Sequence, residues 1–75
     1  MPTAPLIWGD GVRARRQEQG LTQTELATKA KVSQASISRL ELGSRQISDT
    51  ARLRIAAALG ADPYELFPYI EAASA

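Results

Sequence analysis

The chain contains no cysteine and no histidine. Disulfides, Cys/His zinc sites, catalytic thiols and imidazole bases are therefore excluded together. No run approaches the ~18 apolar residues of a membrane span. The opening Met1-Pro2-Thr3-Ala4-Pro5 lacks the basic region and long apolar core of a signal peptide. The expected location is the cytoplasm. Strand alternation, internal repeats and low-complexity tracts are also missing. Gly9-Asp10-Gly11 lacks the Gly-x-x-x-x-Gly-Lys-Ser/Thr spacing of a phosphate loop and reads as a cap ahead of a first helix. No base stands at a sensible spacing from Ser36 or Ser38, and no pair of carboxylates sits in a plausible cleft. An enzyme is the least expected class, and neither a cofactor nor a metal is expected.

What is present fits one small domain. The chain has 75 residues, of which 44% are hydrophobic. That is ordinary for a folded globular chain and too many for a disordered one. A domain this short buries only about 60% of its unfolded surface, and chains below roughly 70–80 residues often need a staple. With disulfides and the best metal ligands missing, pairing with a second copy is the expected staple. The net charge of +1 hides an asymmetry. Residues 11–45 hold seven basic side chains (Arg13, Arg15, Arg16, Lys29, Lys31, Arg39, Arg45) against Glu18, Glu25 and Glu41, or +4. The remainder holds Arg52 and Arg54 against Asp10, Asp49, Asp62, Glu65 and Glu71, or −3. A basic middle suits a polyanion partner, although charges also decorate most solvated helix faces.

The local signals predict an all-α bundle of five short helices. Residues 1–9, with two prolines, read as an arm, residues 10–67 as the folded domain, and residues 68–75 as a tail. A first helix runs from about Asp10 to Gln19 and ends at Gly20, with a thin apolar face of Val12, Ala14 and Trp8. Thr22 and Glu25 make a T-x-x-E capping box that opens a second helix from Gln23 to about Ala30, with Leu26, Ala27 and Ala30 buried. Ser33 caps a third helix, Gln34–Leu42, with Ile37 and Leu40 inward and Gly43 as its stop. Ser48 caps a fourth, about Asp49–Leu59. Its stripe is Arg52, Ile55, Ala56 and Leu59, widened by Leu53 and ended by Gly60. Asp62-Pro63-Tyr64-Glu65 starts a short fifth helix, which Pro68 interrupts near Phe67.

The informative unit is residues 23–42, two helices separated by a three-residue break. Ala27 is small and mid-helix, which suits two helices crossing steeply at close range, as in a helix-turn-helix. Burying Ile37 and Leu40 turns positions 34, 35, 38, 39 and 42 outward at ~3.6 residues per turn. Those positions read Gln34, Ala35, Ser38, Arg39 and Leu42. Gln can bind adenine bidentately, Arg can bind guanine, and short methyl or methylene groups can meet a thymine methyl. Gln23 lies where free N–H groups and the positive end of a helix dipole attract an anion. Ser44 and Arg45 follow the third helix, placed for backbone phosphates.

The ordered set Leu21-Thr22-Gln23-Thr24-Glu25-Leu26-Ala27, Val32 to Gly43 and Ile55-Ala56-Ala57-Ala58-Leu59-Gly60 resembles the lambda-repressor-like, Cro-type (XRE) helix-turn-helix family, from about Val12 to Phe67. The resemblance implies that Gln23 touches a phosphate and braces Gln34, and that Gln34, Ala35, Ser38 and Arg39 face the major groove. Ser33, Ser36, Ser44 and Arg45 would lie near the DNA backbone. Arg16 and Glu41 match a pair that forms a partly buried salt bridge in relatives. The segment after the fourth helix often pairs subunits in relatives, so Leu66, Phe67, Tyr69 and Ile70 are expected at a dimer contact, with Trp8 as a core lid. Two positions depart from the family pattern. Lys31 stands where the turn usually holds Gly, at a cost of something like 1 kcal/mol or more if the left-handed conformation is kept, and Arg15 replaces an apolar residue.

The expected function is a sequence-specific double-stranded DNA-binding transcriptional regulator. It would be a repressor of the small phage-repressor or restriction–modification controller type, binding a palindromic operator as a homodimer. The rival within reach is an antitoxin that binds a toxin as well as its own operator. A polymerase is the other candidate protein partner. The rival of another class is a helical protein-interaction module that never touches DNA.

Overall fold

Four of the five helices start at a side chain that accepts a hydrogen bond from the helix's own first turn. In the computed structural model, which describes residues 8–68, the elements are α1 Trp8–Glu18, α2 Gln23–Ala30, α3 Gln34–Glu41, α4 Asp49–Leu59 and α5 Pro63–Leu66. Thr22 caps α2 through the Glu25 amide, and the Glu25 carboxylate accepts in return from the Thr22 amide. Ser33 caps α3 through Ser36, Ser48 caps α4 through Ala51, and Asp62 caps α5 through Tyr64. Each such cap stabilises its helix by about 1 kcal/mol. The ends follow the same local chemistry. Gly60 closes α4 at φ 66°, in the left-handed region that glycine enters without a Cβ penalty.

The helix α1 begins earlier than expected, at Trp8, so residues 8 and 9 belong to the helix and not to the expected arm. Gly9 is no cap. It lies inside α1 where that helix crosses α3. A Cβ there would fall 2.0 Å from the Leu40 carbonyl oxygen and 2.6 Å from Glu41 Cα. The glycine is what lets the two backbones touch. The helix α3 ends at Glu41, one residue short of the expected Leu42.

The interior is built from Val12, Leu26, Ile37, Leu40, Ile55 and Phe67, with Trp8, Ala27, Ala30, Ala56, Leu59 and Leu66 completing it. A fully buried aliphatic or Phe side chain contributes about 1.5–3 kcal/mol through its removal from water. Two expected core residues lie outside it. Ala14 is exposed and Leu53 is 51% exposed. Each is two residues from a buried neighbour, Val12 or Ile55, and ~200° of helical rotation carries it to the opposite face. Leu66 and Phe67, expected at a subunit contact, are instead buried within the chain at 4% and 0% exposure. The Phe67 ring meets Trp8 edge-on, with centroids 5.4 Å apart and planes at 84°. So small an interior is filled by drawing in the end of α5. Tyr69 and Ile70 lie outside the described residues, as do residues 1–7 of the expected arm.

Candidate nucleic-acid interface

The site is positioned by the turn between α2 and α3. Lys31 leaves α2 in the left-handed conformation, φ 60° and ψ 43°. It is the one non-glycine residue with positive φ among the described residues. The Val32 amide then donates to the Ala27 carbonyl at 3.0 Å, closing the helix end. Ala27 is buried at 4% exposure in α2, which packs on α3, and Ile37 and Leu40 turn inward from α3. That leaves Gln34, Ala35 and Arg39 exposed and Ser38 half-buried on the outer side. Leu42, just past α3, is 81% exposed.

The remaining expected contact residues take up distinct local roles. The Ser33 and Ser36 hydroxyls pair at 2.8 Å, on the capping turn of α3. The Ser44 hydroxyl accepts from the Gln46 amide at 3.1 Å, shaping the loop after α3. The Arg45 guanidinium lies over the Trp8 ring, 4.4 Å from its centroid, and Arg52 lies over the same ring at 4.9 Å. Arg52 is itself buried, donating to the Ile47 carbonyl at 2.8 Å and pairing with Asp49. Burial, then the charge of Arg45, lowers the pKa of Arg52 from its ordinary value.

Behind the outer face of α3 lies a buried carboxylate. The Glu41 side chain is 1% exposed and Arg16 is 12% exposed. Arg16 donates through Nε to Oε2 at 2.7 Å and through Nη2 to Oε1 at 2.9 Å, a two-pronged contact. Its Nη1 reaches the Leu21 carbonyl at 2.7 Å. Gln23 donates to Glu41 Oε1 at 3.1 Å, and Gln34 donates to Gln23 Oε1 at 2.9 Å. A continuous chain of donors thus runs from the outer face of α3 to the Arg16–Glu41 pair. Desolvation alone would raise the Glu41 pKa. Hydrogen bonds from Arg16, Gln23 and Arg13, with the Coulombic pull of Arg16, outweigh it and hold the carboxyl below its usual range. The hydrogen bond to Glu41 correspondingly raises Arg16.

Three residues contribute to this arrangement in roles that the sequence did not suggest. Arg13 donates to the Glu41 carbonyl at 2.7 Å and approaches its carboxylate at 3.5 Å. Gly9 brings α1 against α3, and Trp8 carries Arg45. The spacing of 9, 13 and 16, at i, i+4 and i+7, places all three on one helix face and was the available signal.

The helix-turn-helix family pattern matches residues 12–66. The chain belongs to the helix-turn-helix family. Among its helix-turn-helix relatives, the HTH-type transcriptional repressor RghR of Bacillus subtilis (strain 168) is 40% identical over 62 residues, 83% of this chain. The chain spans about half of that relative, 46% of its length. The restriction-modification controller protein C.AhdI from Aeromonas hydrophila has a similar structure, with a TM-score of 0.77 and 31% identity. The match covers 87% of this chain and 98% of that one. The clp gene regulator ClgR from C. glutamicum matches with a TM-score of 0.73 and 28% identity, over 100% of this chain and 97% of that one. These relatives are a transcriptional repressor, a restriction-modification controller and a gene regulator. Among the described residues no helix is long and apolar enough to cross a membrane.

Proposed function

We propose that this helix-turn-helix protein represses transcription by binding a palindromic operator in double-stranded DNA as a homodimer, each α3 entering the major groove of one half-site. The observation that carries the reading is the hydrogen-bond chain Gln34–Gln23–Glu41 behind an otherwise bare face. A carboxylate only accepts, so Gln23 must turn its NH2 toward Glu41 and its oxygen toward Gln34. Gln34 must then donate to Gln23 with one N–H. It keeps a second N–H and its oxygen, the pair complementary to adenine N7 and N6. Ala35 and Ser38 would lie beside it against the base edges, with Arg39 free to reach a guanine. Ser33, Ser36, Ser44, Arg45 and the start of α2 at Gln23 would follow the phosphates.

The subclass is the small phage-repressor or restriction–modification controller type, and the likeness to the restriction-modification controller supports the latter. Tyr69 and Ile70 remain candidates for the subunit contact, and the protein would act in the cytoplasm, on the nucleoid. Selection of random duplexes on the purified protein tests the proposal. It should return one inverted repeat with half-sites about one helical turn apart. Failure to enrich any sequence, with no duplex retained in dilute buffer, would refute it.

A further inference from the structure

A second surface lies at the far end of α2 from Gln23, about 12 Å away by the rise of an eight-residue helix. There α2, its turn and α4 flank a shallow, open depression of about 370 Å³. Ala30, Ala57 and Ala58 form its floor, and Lys29, Lys31 and Arg54 stand around it. Among the described residues, no carboxylate lies within ion-pair distance of any of these three cations. The Arg54 guanidinium instead reaches the Lys31 carbonyl at 3.4 Å.

We propose that this pocket docks an acidic, amphipathic segment of a partner protein, its carboxylates on Lys29, Lys31 and Arg54 and its aliphatic side chains on the alanine floor. One observation selects that occupant and a second marks the place. The first is complementarity: three cations call for an anion, while an apolar floor adds nothing to the binding of bare phosphates and suits a chain carrying both acidic and aliphatic side chains. The second is Lys31 itself. It holds φ 60°, a conformation that glycine would adopt without strain. Strain of this kind persists at sites of function, and here it places a cation at the pocket. The pocket is separate from the outer face of α3, so such a partner could be carried on DNA.

The probe is a fluorescein-labelled peptide of alternating glutamate and leucine, titrated by anisotropy against the full chain. A lysine–leucine peptide, oligothymidylate and inorganic phosphate serve as controls. The acidic peptide should bind and the basic one should not. Arg54→Ser and Lys31→Gly should each weaken binding at least fivefold. Lys31→Gly should at the same time raise the Tm by about 4–8 °C, because the strain is gone. Loss of binding in a more stable protein cannot come from misfolding. The proposal is overturned if the acidic peptide does not bind, if both variants bind it as before, or if oligothymidylate or phosphate displaces it as effectively as unlabelled peptide. Retention of duplex DNA should be unchanged in Arg54→Ser. Peptide binding by a chain that retains no duplex would refute the repressor reading and leave this one standing.

Discussion

Replacing Glu41 with alanine removes the acceptor on which Arg16, Gln23 and Arg13 converge. The magnitude follows from exposure. Arg16 is 12% exposed and would lose two short charged hydrogen bonds, keeping only its contact with the Leu21 carbonyl. Breaking one side of a buried pair costs about 3–5 kcal/mol, because the survivor is left unpaired in a dry site. The retained carbonyl contact places this case near the lower figure. Arg13 adds little, since its side chain is 42% exposed and its approach to the carboxylate is 3.5 Å. Losing the Gln23 bond adds about 1 kcal/mol at most. The total, about 3–4 kcal/mol, is a large share of the roughly 4–11 kcal/mol expected for a domain of this size. Urea unfolding followed by far-ultraviolet circular dichroism measures it directly. The double variant Arg16→Leu with Glu41→Leu leaves no charge stranded and should recover most of the loss. A single-variant loss below about 1 kcal/mol, or a double variant no more stable than Glu41→Ala, would refute the assignment of Glu41 as a buried hub.

Three further outcomes are expected. The lowered pKa of Glu41 means that its ionised form favours the fold. That contribution is complete above the unfolded value, about 4.3, and is lost as pH falls through the lower folded value. Urea midpoints at pH 7, 5 and 3.5 should therefore fall less steeply for Glu41→Gln than for the parent chain. Gly9→Ala should destabilise by about 2 kcal/mol or more, read as a fall in Tm. Alanine favours a helix by about 1 kcal/mol over glycine, but the 2.0 Å approach to the rigid Leu40 carbonyl forces α1 off α3, and overpacking wins. Arg45→Ala should lower the slope of log K against log salt by about one on any duplex, the signature of one phosphate contact; an unchanged slope would remove Arg45 from the interface.

Most of the framework was legible because its signals are local. The bounds of α2 and α4 coincide with those read from Thr22, Glu25 and Ser48 at one end and from the apolar stripes at the other. A cap is chemistry between residues three apart, and a stripe is chemistry along one helix. The outer position of Gln34, Ala35 and Arg39 follows from the burial of Ile37 and Leu40. What stayed hidden depends on pairs of helices. Gly9 reads as part of a cap until α3 is laid across it. Leu66 and Phe67 read as surplus apolar surface until the interior proves deep enough to hold both. Arg13 looks like a solvated charge, and Arg45 like a phosphate contact alone, until Glu41 and the Trp8 ring are placed beside them.

The central claim is that the outer face of α3 reads base edges, and Gln34→Ala on a selected duplex tests it most directly. Affinity for the selected site and for every single-base change within one half-site should be measured in parallel at fixed salt. The account predicts a loss of about 1–3 kcal/mol on the selected site and the disappearance of discrimination at one base pair, with the other positions unaffected. An equal loss on every sequence, or discrimination unchanged at all positions, would contradict it.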